Sequence, residues 1–425
     1  LAEGDGLDSR DFDDGGTDVP GGIVGAPERV LVIGAGIAGL TVANALTHAG
    51  VESVVLEARD HIGGRLHTVD LAGSPVDLGA SWIHMPDGNP LAAFARLAGV
   101  PGRSADPVPE MAGFDRGEGR RLTAAETADL LGLYLEGFPE AAEGLLTRLG
   151  PDASMAEAID AFVAAAGWPA GPARRARQML HAGIEAESAD LAGRQSLRWM
   201  WNELEYAGNY FGDIPDGGYR RLADAMASGV DVLKRGLPRF SPALPPDRVA
   251  AIERLGFGRY EKVALRFTEP FWRAAGFPHL MVFPVDPQEW MVWVIGQDAF
   301  GGPVLVFHVF HSAAERLAAA GPDAWTRWAR TMLADATGRP CPEPAGVAVS
   351  SWADDPWTGG GYSHIPPGAS PADADLLGEP LHGRLLFAGE HTQSPRLAYA
   401  DGALTSGIRE AKRLLGTPSV SLAIN

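Results

Sequence analysis

The sequence predicts an α/β fold in two domains, and three observations predict it. A strand–glycine turn–helix–strand unit begins near residue 28, a long Ala- and Leu-rich helical stretch follows, and a strand-rich middle comes after that. The size agrees, because 425 residues supply two or three domain-sized cores. With 46% apolar and 21% charged residues, the composition excludes a mostly disordered or fibrous chain.

Taken in order, residues 1–27 set Glu3, Asp5, Asp8, Asp11, Asp13, Asp14 and Asp18 among glycines and read as a flexible acidic tail. Arg29–Ile33 reads as a buried strand, Gly34–Gly39 as a turn, Leu40–Ala49 as a helix stopped by Gly50, and Val51–Leu56 as a second strand ending at Glu57. Val30–Gly50 lacks Asp, Glu, Lys and Arg, yet its glycines, Thr41, Asn44 and Thr47 suit strand–turn–helix better than a membrane span. A soluble chain is expected, cytoplasmic or exported, with no membrane partner. Residues 90–211 read as mainly helical, with helical spacing at Ala124–Leu135 and Met155–Ala166. Val263–Phe267, Leu280–Pro284, Trp290–Ile295 and Val304–Phe310 read as strands, and Ala313–Ala320 and Ala324–Ala336 as helices. Residues 366–374 read as a surface loop, Leu385–Ala388 as a last strand and Gly402–Leu415 as a final helix.

The charge narrows the partners. Fifty-four acids against 35 bases give a net charge of −19, which repels phosphate backbones, so nucleic acid is not expected as a partner. Cys341 is the single cysteine, which excludes an intrachain disulfide and a thiolate metal cluster; no metal site is expected.

The glycine motif carries the first chemistry. Gly34 permits the tight turn, Gly36 lets the backbone approach a pyrophosphate, and Gly39 lets the helix pack close to the sheet. Phosphates would sit at the helix N-terminus beside Ala38, and Glu57 ends the second strand where a carboxylate binds ribose hydroxyls. The plainer reading is an ordinary tight turn; strand, helix, second strand and acid together favour a dinucleotide.

Beyond Glu57 comes Ala58-Arg59-Asp60-His61-Ile62-Gly63-Gly64-Arg65, which resembles the extended fingerprint of FAD enzymes of the glutathione-reductase-like class. In that class Gly63, Gly64 and Arg65 approach the diphosphate, where a guanidinium neutralises phosphates bidentately. The alternative for Arg65 is a surface salt bridge. Five further blocks follow in order: Asp77-Leu78-Gly79-Ala80-Ser81-Trp82-Ile83-His84; Gly256–Val263 with Lys262; Trp352–Trp357 leading to Gly359-Gly360-Gly361-Tyr362; Phe387-Ala388-Gly389-Glu390-His391-Thr392; and Tyr399-Ala400-Asp401-Gly402-Ala403. Together they resemble the flavin-dependent amine oxidase family, which includes polyamine and spermine oxidases, monoamine oxidases and lysine-specific histone demethylases.

The resemblance implies a discontinuous Rossmann-like FAD-binding domain at 28–89, 212–258 and 376–425. A substrate domain of mixed sheet plus helical lobe takes 90–211 and 259–375. It places Gly79, Ala80, Ser81 and Trp82 in a loop passing the flavin, Glu390 and Gly389 near the ribityl and phosphate portion, and Trp352 and Trp357 against the flavin. It gives Lys262 a water near flavin N5, sets Tyr362 and Tyr399 as facing aromatics across the amine, and turns the Ala400 N–H toward the pyrimidine edge. Gly361 occupies the position of the flavin-linking cysteine of monoamine oxidases, so non-covalent FAD is expected. His84, with Trp82, reaches the substrate channel, and Glu185, Glu187, Glu203 and Glu205 are acids of the helical insert that could bind distal ammonium groups. Each has a plainer reading: a solvent-facing strand-edge lysine, core tyrosines and tryptophans, a satisfied structural histidine, acids on solvated faces.

One segment departs from the pattern. Met226-Ala227-Ser228-Gly229-Val230-Asp231 runs almost directly into Val232-Leu233-Lys234, where the family has several tens of residues of sheet. Three readings of the shortening stay open: weaker FAD binding, an uncovered sheet edge or an incomplete sequence. The implied reaction is oxidation of an amine, a polyamine first and a monoamine next, by hydride transfer to flavin N5. Imine and then aldehyde form, and O2 becomes hydrogen peroxide. An L-amino-acid oxidase or desaturase-type FAD enzyme, and a non-catalytic remnant, remain as alternatives. The oligomeric state is left open.

Overall fold

A computed structural model describes residues 7–8, 27–201, 204–230, 232–234, 240–297 and 301–422. The acidic stretch 1–27 lies outside them except for Pro27 and Leu7–Asp8, which pair antiparallel with Ser421–Leu422.

Strand β1 (Arg29–Ile33), helix α1 (Ile37–His48) and strand β2 (Glu52–Glu57) form the parallel βαβ unit that the glycine turn announces. Strand β3 (Met111–Asp115) and the 19-residue helix α2 (Ala170–Ser188) follow along the chain. Strand β4 (Val232–Lys234), directly after the shortened segment, pairs parallel with β2, so the small sheet runs β4-β2-β1. Among the described residues β1 pairs on one side only, and its outer face leaves Leu31 59% and Ile33 55% exposed.

The larger sheet has seven strands. They include β5 (Tyr260–Arg266), β6 (His279–Phe283), β7 (Val292–Gly296), β8 (Val304–Phe310) and β9 (Gly346–Val349), in the order β9-β5-β8-β7-β6-β3-(Arg120–Arg121). The pairing of β5 with β8 sets Lys262 opposite His308 and Tyr260 opposite Phe310. The last helix, α3 (Ala400–Leu415), packs on α1 with backbones close: a Cβ on Gly407 would lie 2.6 Å from the Ala38 carbonyl oxygen.

Burial follows the two sheets. One apolar cluster joins β1, α1, Pro90–Leu97, Tyr219–Met226 and α3; a second joins one face of the larger sheet to the helices His311–Ala319 and Pro322–Thr337. Helix α2 is covered on both sides, by the helices around Phe138–Ala166 and by the sheet face that carries Met281 and Trp293.

The 90–211 stretch is mainly helical, as expected, and also contributes β3, which joins the large sheet parallel to β6. Three elements differ from the sequence expectation. Arg29–Ile33, read as a buried strand, leaves Leu31 and Ile33 exposed at the sheet's edge. Leu385–Ala388 is not a strand; Leu386 and Ala388 pack into the first cluster without ladder bonds. The stretch 366–374 is loop only at first, because Ser370 and Asp373 form a capping box that starts the helix Pro371–Leu377.

Candidate active site

The glycine turn builds a shallow cradle. Gly63 N–H donates to the Ala35 carbonyl at 2.8 Å, and a Cβ on Gly64 would lie 3.3 Å from the Gly36 Cα, so two glycine turns meet backbone to backbone. A Cβ on Gly39 would lie 2.1 Å from the Gly34 carbonyl oxygen, which excludes any side chain there. Above Gly34 and Gly36 the space is open, and no side chain caps the N-terminus of α1. The Glu57 carboxylate accepts from the N–H groups of Ala35 (2.7 Å), Ala58 (2.9 Å) and Arg59 (2.8 Å), tying the end of β2 to the turn. Arg59 pairs with Asp355 at 2.8 Å.

Arg65 reaches across to the other end of the chain. Its guanidinium donates to the Gly361 carbonyl at 3.0 Å and pairs with Glu390 at 2.7 Å. Glu390 is buried and also accepts from Ser363 and from the Ala398 N–H. Burial alone would raise its carboxyl; Arg65, His391 and the Ser363 hydrogen bond together outweigh that and hold it at about 2. The Gly389 N–H is held by Ser406 at 2.9 Å.

Lys262 forms a second wall. It lies on β5, between two neighbouring strands, and is 2% exposed, so it is not a strand-edge lysine facing solvent. Its ammonium donates to the Gly79 carbonyl and the Ser81 hydroxyl, each at 2.5 Å, and to the Asp77 carbonyl at 3.3 Å. Burial lowers its pKa to about 8, against the opposing pull of the Asp77 carboxylate. A Cβ on Gly79 would meet the Arg65 carbonyl oxygen at 1.8 Å, so only glycine lets this loop pass. The Trp352 indole donates to the Leu78 carbonyl at 2.9 Å, and Glu261 holds the Trp352 and Ala353 N–H groups, both at 3.0 Å. Trp357, by contrast, is 40% exposed.

A closed circuit of contacts rises from this wall. Tyr362 meets Tyr260 at 5.8 Å between ring centroids, and the Tyr260 hydroxyl bonds His308 Nδ1. His308 lies 5.6 Å from Trp82, Trp82 is 6.4 Å from His84, and His84 is 5.2 Å from Tyr210. The Tyr210 hydroxyl donates to Glu187 on α2 at 2.5 Å, and the adjacent Ala186 carbonyl accepts the Tyr362 hydroxyl. Tyr399 joins the circuit at His84, 5.6 Å away and edge-on, and Lys262 joins at Trp82, 5.6 Å from its ring.

His84 Nδ1 lies 2.7 Å from the Tyr210 carbonyl, so it carries the proton and donates. Burial lowers its pKa, which leaves a neutral imidazole with Nε2 as an acceptor. Behind Tyr399, Arg396 sits 3.8 Å from the ring and makes a two-point pair with Asp401 at 2.6 and 3.0 Å. Ala400 begins α3, whose N-terminus has no side-chain cap.

The four acids of the helical insert separate. Glu187 enters the circuit. Glu185, two residues away, is 1% exposed, and among the described residues neither carboxylate oxygen has a hydrogen-bond partner within bonding distance. Glu205 is exposed, and Glu203 lies outside the described residues. Sequence reasoning missed Tyr134, Tyr210, Tyr260, His308 and Arg396. One signal was present: the chain has only seven tyrosines. Tyr134, Tyr210, Tyr260, Tyr362 and Tyr399 belong to the aromatic cluster, Tyr206 lies under Arg396, and the Tyr219 hydroxyl donates to the Trp82 carbonyl.

With an open glycine cradle, a buried lysine against a glycine loop and an aromatic cluster on the page, the sequence itself matches a known family along nearly the whole chain. The description "Flavin containing amine oxidoreductase" fits residues 37–236 and 216–415. The chain belongs to that family. It is 28% identical over 444 residues to lysine-specific histone demethylase 1 homolog 2 of Arabidopsis thaliana (92% of this chain, 59% of the relative). It is 30% identical over 455 residues to the homolog 2 of Oryza sativa subsp. japonica (92% and 58%). The chain thus spans a little over half the length of these relatives. In fold it is similar to cyclohexylamine oxidase from Brevibacterium oxydans IH-35A, with a TM-score of 0.71, 20% identity and coverage of 92% and 99%. A putrescine oxidase mutant with redesigned cofactor binding gives 0.67, 18%, 91% and 98%.

The cofactor of this family member is FAD, and the residues present fit it. The uncapped helix end and the side-chain-free space over Gly34 and Gly36 suit a diphosphate, with Gly63 and Gly64 against Gly36. Glu57 spends three of about four acceptor positions on the backbone, which leaves one for a ribose hydroxyl. Among the described residues no helix is long and apolar enough to cross a membrane, and no group of three His, Cys, Asp or Glu side chains could hold a metal ion.

Proposed function

We propose that the chain oxidises amines, polyamines foremost, with O2 as the electron acceptor and hydrogen peroxide as the second product. In this reading the Rossmann-like part at 28–89, 212–258 and 376–425 carries FAD non-covalently, and 90–211 with 259–375 carry the substrate. The observation that supports it is the closed circuit Tyr362–Tyr260–His308–Trp82–His84–Tyr210–Glu187, joined at Trp82 to Lys262. FAD, when bound, supplies the two-electron oxidation of the C–N bond. The protein supplies the rest. Tyrosine faces accept an amine by cation–π and lone-pair contact, and His84 Nε2 accepts one of its N–H groups. Lys262, desolvated against Gly79 and Ser81, can hold or release a proton at Nζ near neutral pH. The substrate loses two electrons and two protons to become an imine, and water then releases an aldehyde and an amine or ammonia.

The test is the visible spectrum of purified holoenzyme under anaerobic conditions, before and after adding spermine, spermidine or n-butylamine. Bleaching of the flavin bands by an amine is expected. No bleaching by any amine, with bleaching by an L-amino acid, would replace the reading with amino-acid oxidation; a protein that cannot take up FAD would replace it with a non-catalytic remnant. A methylated lysine side chain is the second reading, favoured by the names of the curated relatives; formaldehyde release from an N-methyl-lysine peptide would select it.

A further inference from the structure

We propose that the Asp77 carboxylate is the counter-charge of Lys262 and decides when that lysine gives up its proton. The coupling stands on geometry; its use in catalysis rests on the amine-oxidation reading, which it deepens. Asp77 ends the strand Ser74–Asp77 and is 4% exposed. Its Oδ1 accepts from the Thr68 hydroxyl and, at 3.1 Å, from the Tyr219 N–H. Both donors are neutral, and the carboxylate makes no ion pair among the described residues. Lys262 mirrors it. The hydrogens of its ammonium go to three neutral acceptors, the Gly79 carbonyl and Ser81 hydroxyl at 2.5 Å and the Asp77 carbonyl at 3.3 Å. The buried cation thus rests on the backbone oxygen of the residue whose side chain carries the buried anion. Only that side chain separates the two charges, and away from water their attraction is weakly screened.

Burial acts on both groups, raising the Asp77 carboxyl to about 6 and lowering the Lys262 ammonium to about 8, and each charge draws the other back toward its ionised form. The other ionisable groups nearby are neutral or committed. On β8, His308 stands opposite Lys262 and is kept neutral by burial and by Lys262 itself. On β5, burial keeps the Tyr260 phenol protonated, and Glu261 accepts from Ser350, Trp352 and Ala353. Arg266, at the end of that strand, donates to Ser74 and to the Phe267 carbonyl. Arg65, against the glycine loop, pairs with Glu390. Around Asp77, burial keeps the Tyr219 phenol protonated and lowers the His67 pKa, and Arg220 pairs with Asp224 at 3.5 Å. With Asp77 ionised the pair is neutral overall, and loss of the Lys262 proton leaves a net negative charge in the interior. The carboxylate therefore delays that loss to higher pH.

The sequence makes the experiment direct, because its only lysines are Lys234, Lys262 and Lys412. Holoenzyme grown on lysine with an NMR-active carbon at Cε gives one signal for each, and Lys262→Met identifies the one that matters. In the wild type that signal is expected to titrate at about pH 8, with a smaller step at about pH 6 where Asp77 gains its proton. Asp77→Asn keeps an oxygen for Thr68 and Tyr219 but removes the charge. It is expected to lower the Lys262 midpoint by about 1–3 pH units, the size of a nearby opposite charge. The pH at which flavin reduction by an amine speeds up is expected to fall with it. An aspartate that only holds the fold would change the rate and leave both midpoints in place. A Lys262 midpoint unmoved in folded Asp77→Asn overturns the inference; should that variant not fold, the absence of the step at about pH 6 in the wild type does so. A wild type whose lysine titrates as expected but whose flavin no amine bleaches overturns the amine-oxidation reading alone.

Discussion

The pair behind Tyr399 gives a sharp prediction. Arg396 is 1% and Asp401 4% exposed at the side chain, and their two hydrogen bonds measure 2.6 and 3.0 Å. Arg396 also donates to the Leu204 carbonyl at 3.0 Å and covers the Tyr399 ring. Removing one partner of such a buried pair strands the other charge in a medium that cannot solvate it, which costs about 3–5 kcal/mol. Arg396→Met is therefore expected to lose about 3–5 kcal/mol, and Asp401→Leu a similar amount. The double variant strands no charge. It forfeits the Leu204 bond and the ring contact, roughly 1 kcal/mol each, and is expected to fall only about 1–3 kcal/mol below wild type. Urea unfolding followed by tryptophan fluorescence measures all three. A stable double variant should still oxidise amines poorly, because the Tyr399 ring has lost its backing. The reasoning is refuted if Arg396→Met costs under about 1 kcal/mol, or if the double variant is no more stable than either single one.

Three further outcomes are expected. Lys262→Met should slow flavin reduction or reoxidation at least about tenfold and abolish a rise in rate as pH passes about 8, where burial places the Lys262 transition; unchanged half-reactions would end its proposed role. Burial raises Glu185 to about 8, above its unfolded value near 4.3, so the native state holds a proton that the unfolded chain has lost, and stability falls as pH climbs through that window. Glu185→Gln should thus gain on wild type by about 1.4 kcal/mol per pH unit between roughly pH 4.5 and 8 and level off above, and a pH-independent difference would show the carboxylate to be solvated. Gly36→Ala meets no atom within 4 Å and should leave the apoprotein's unfolding midpoint unchanged while weakening FAD binding in a fluorescence titration, whereas unweakened binding would remove the diphosphate from that turn.

The sequence showed most where the chemistry is local. The βαβ unit closes within about 30 residues, so the glycine turn and Glu57 could be placed from spacing alone, and Lys262 came with its neighbours in one block. The aromatic cluster was less visible, because Tyr134, Glu187 and Tyr210 come from three separate segments and meet only when α2 lies across the large sheet. Leu385–Ala388 misled because an apolar run has the same composition whether it pairs in a sheet or only packs. The helix at Pro371–Leu377 was legible in principle: Ser370 and Asp373 stand at capping-box spacing, and the proline between them suits a first helical turn.

The bare outer side of β1 has a consequence for the protein in solution rather than for its chemistry. An edge strand that, among the described residues, pairs on one side only and carries exposed Leu31 and Ile33 is a template onto which a second copy could zip. What holds copies apart is their like charge, −19 per chain. That repulsion reaches about 10 Å in 0.1 M salt and about 3 Å in 1 M. Concentrated salt, often used to keep proteins dispersed, should instead drive this one toward strand-by-strand aggregation, and dilute buffer should be its better storage medium.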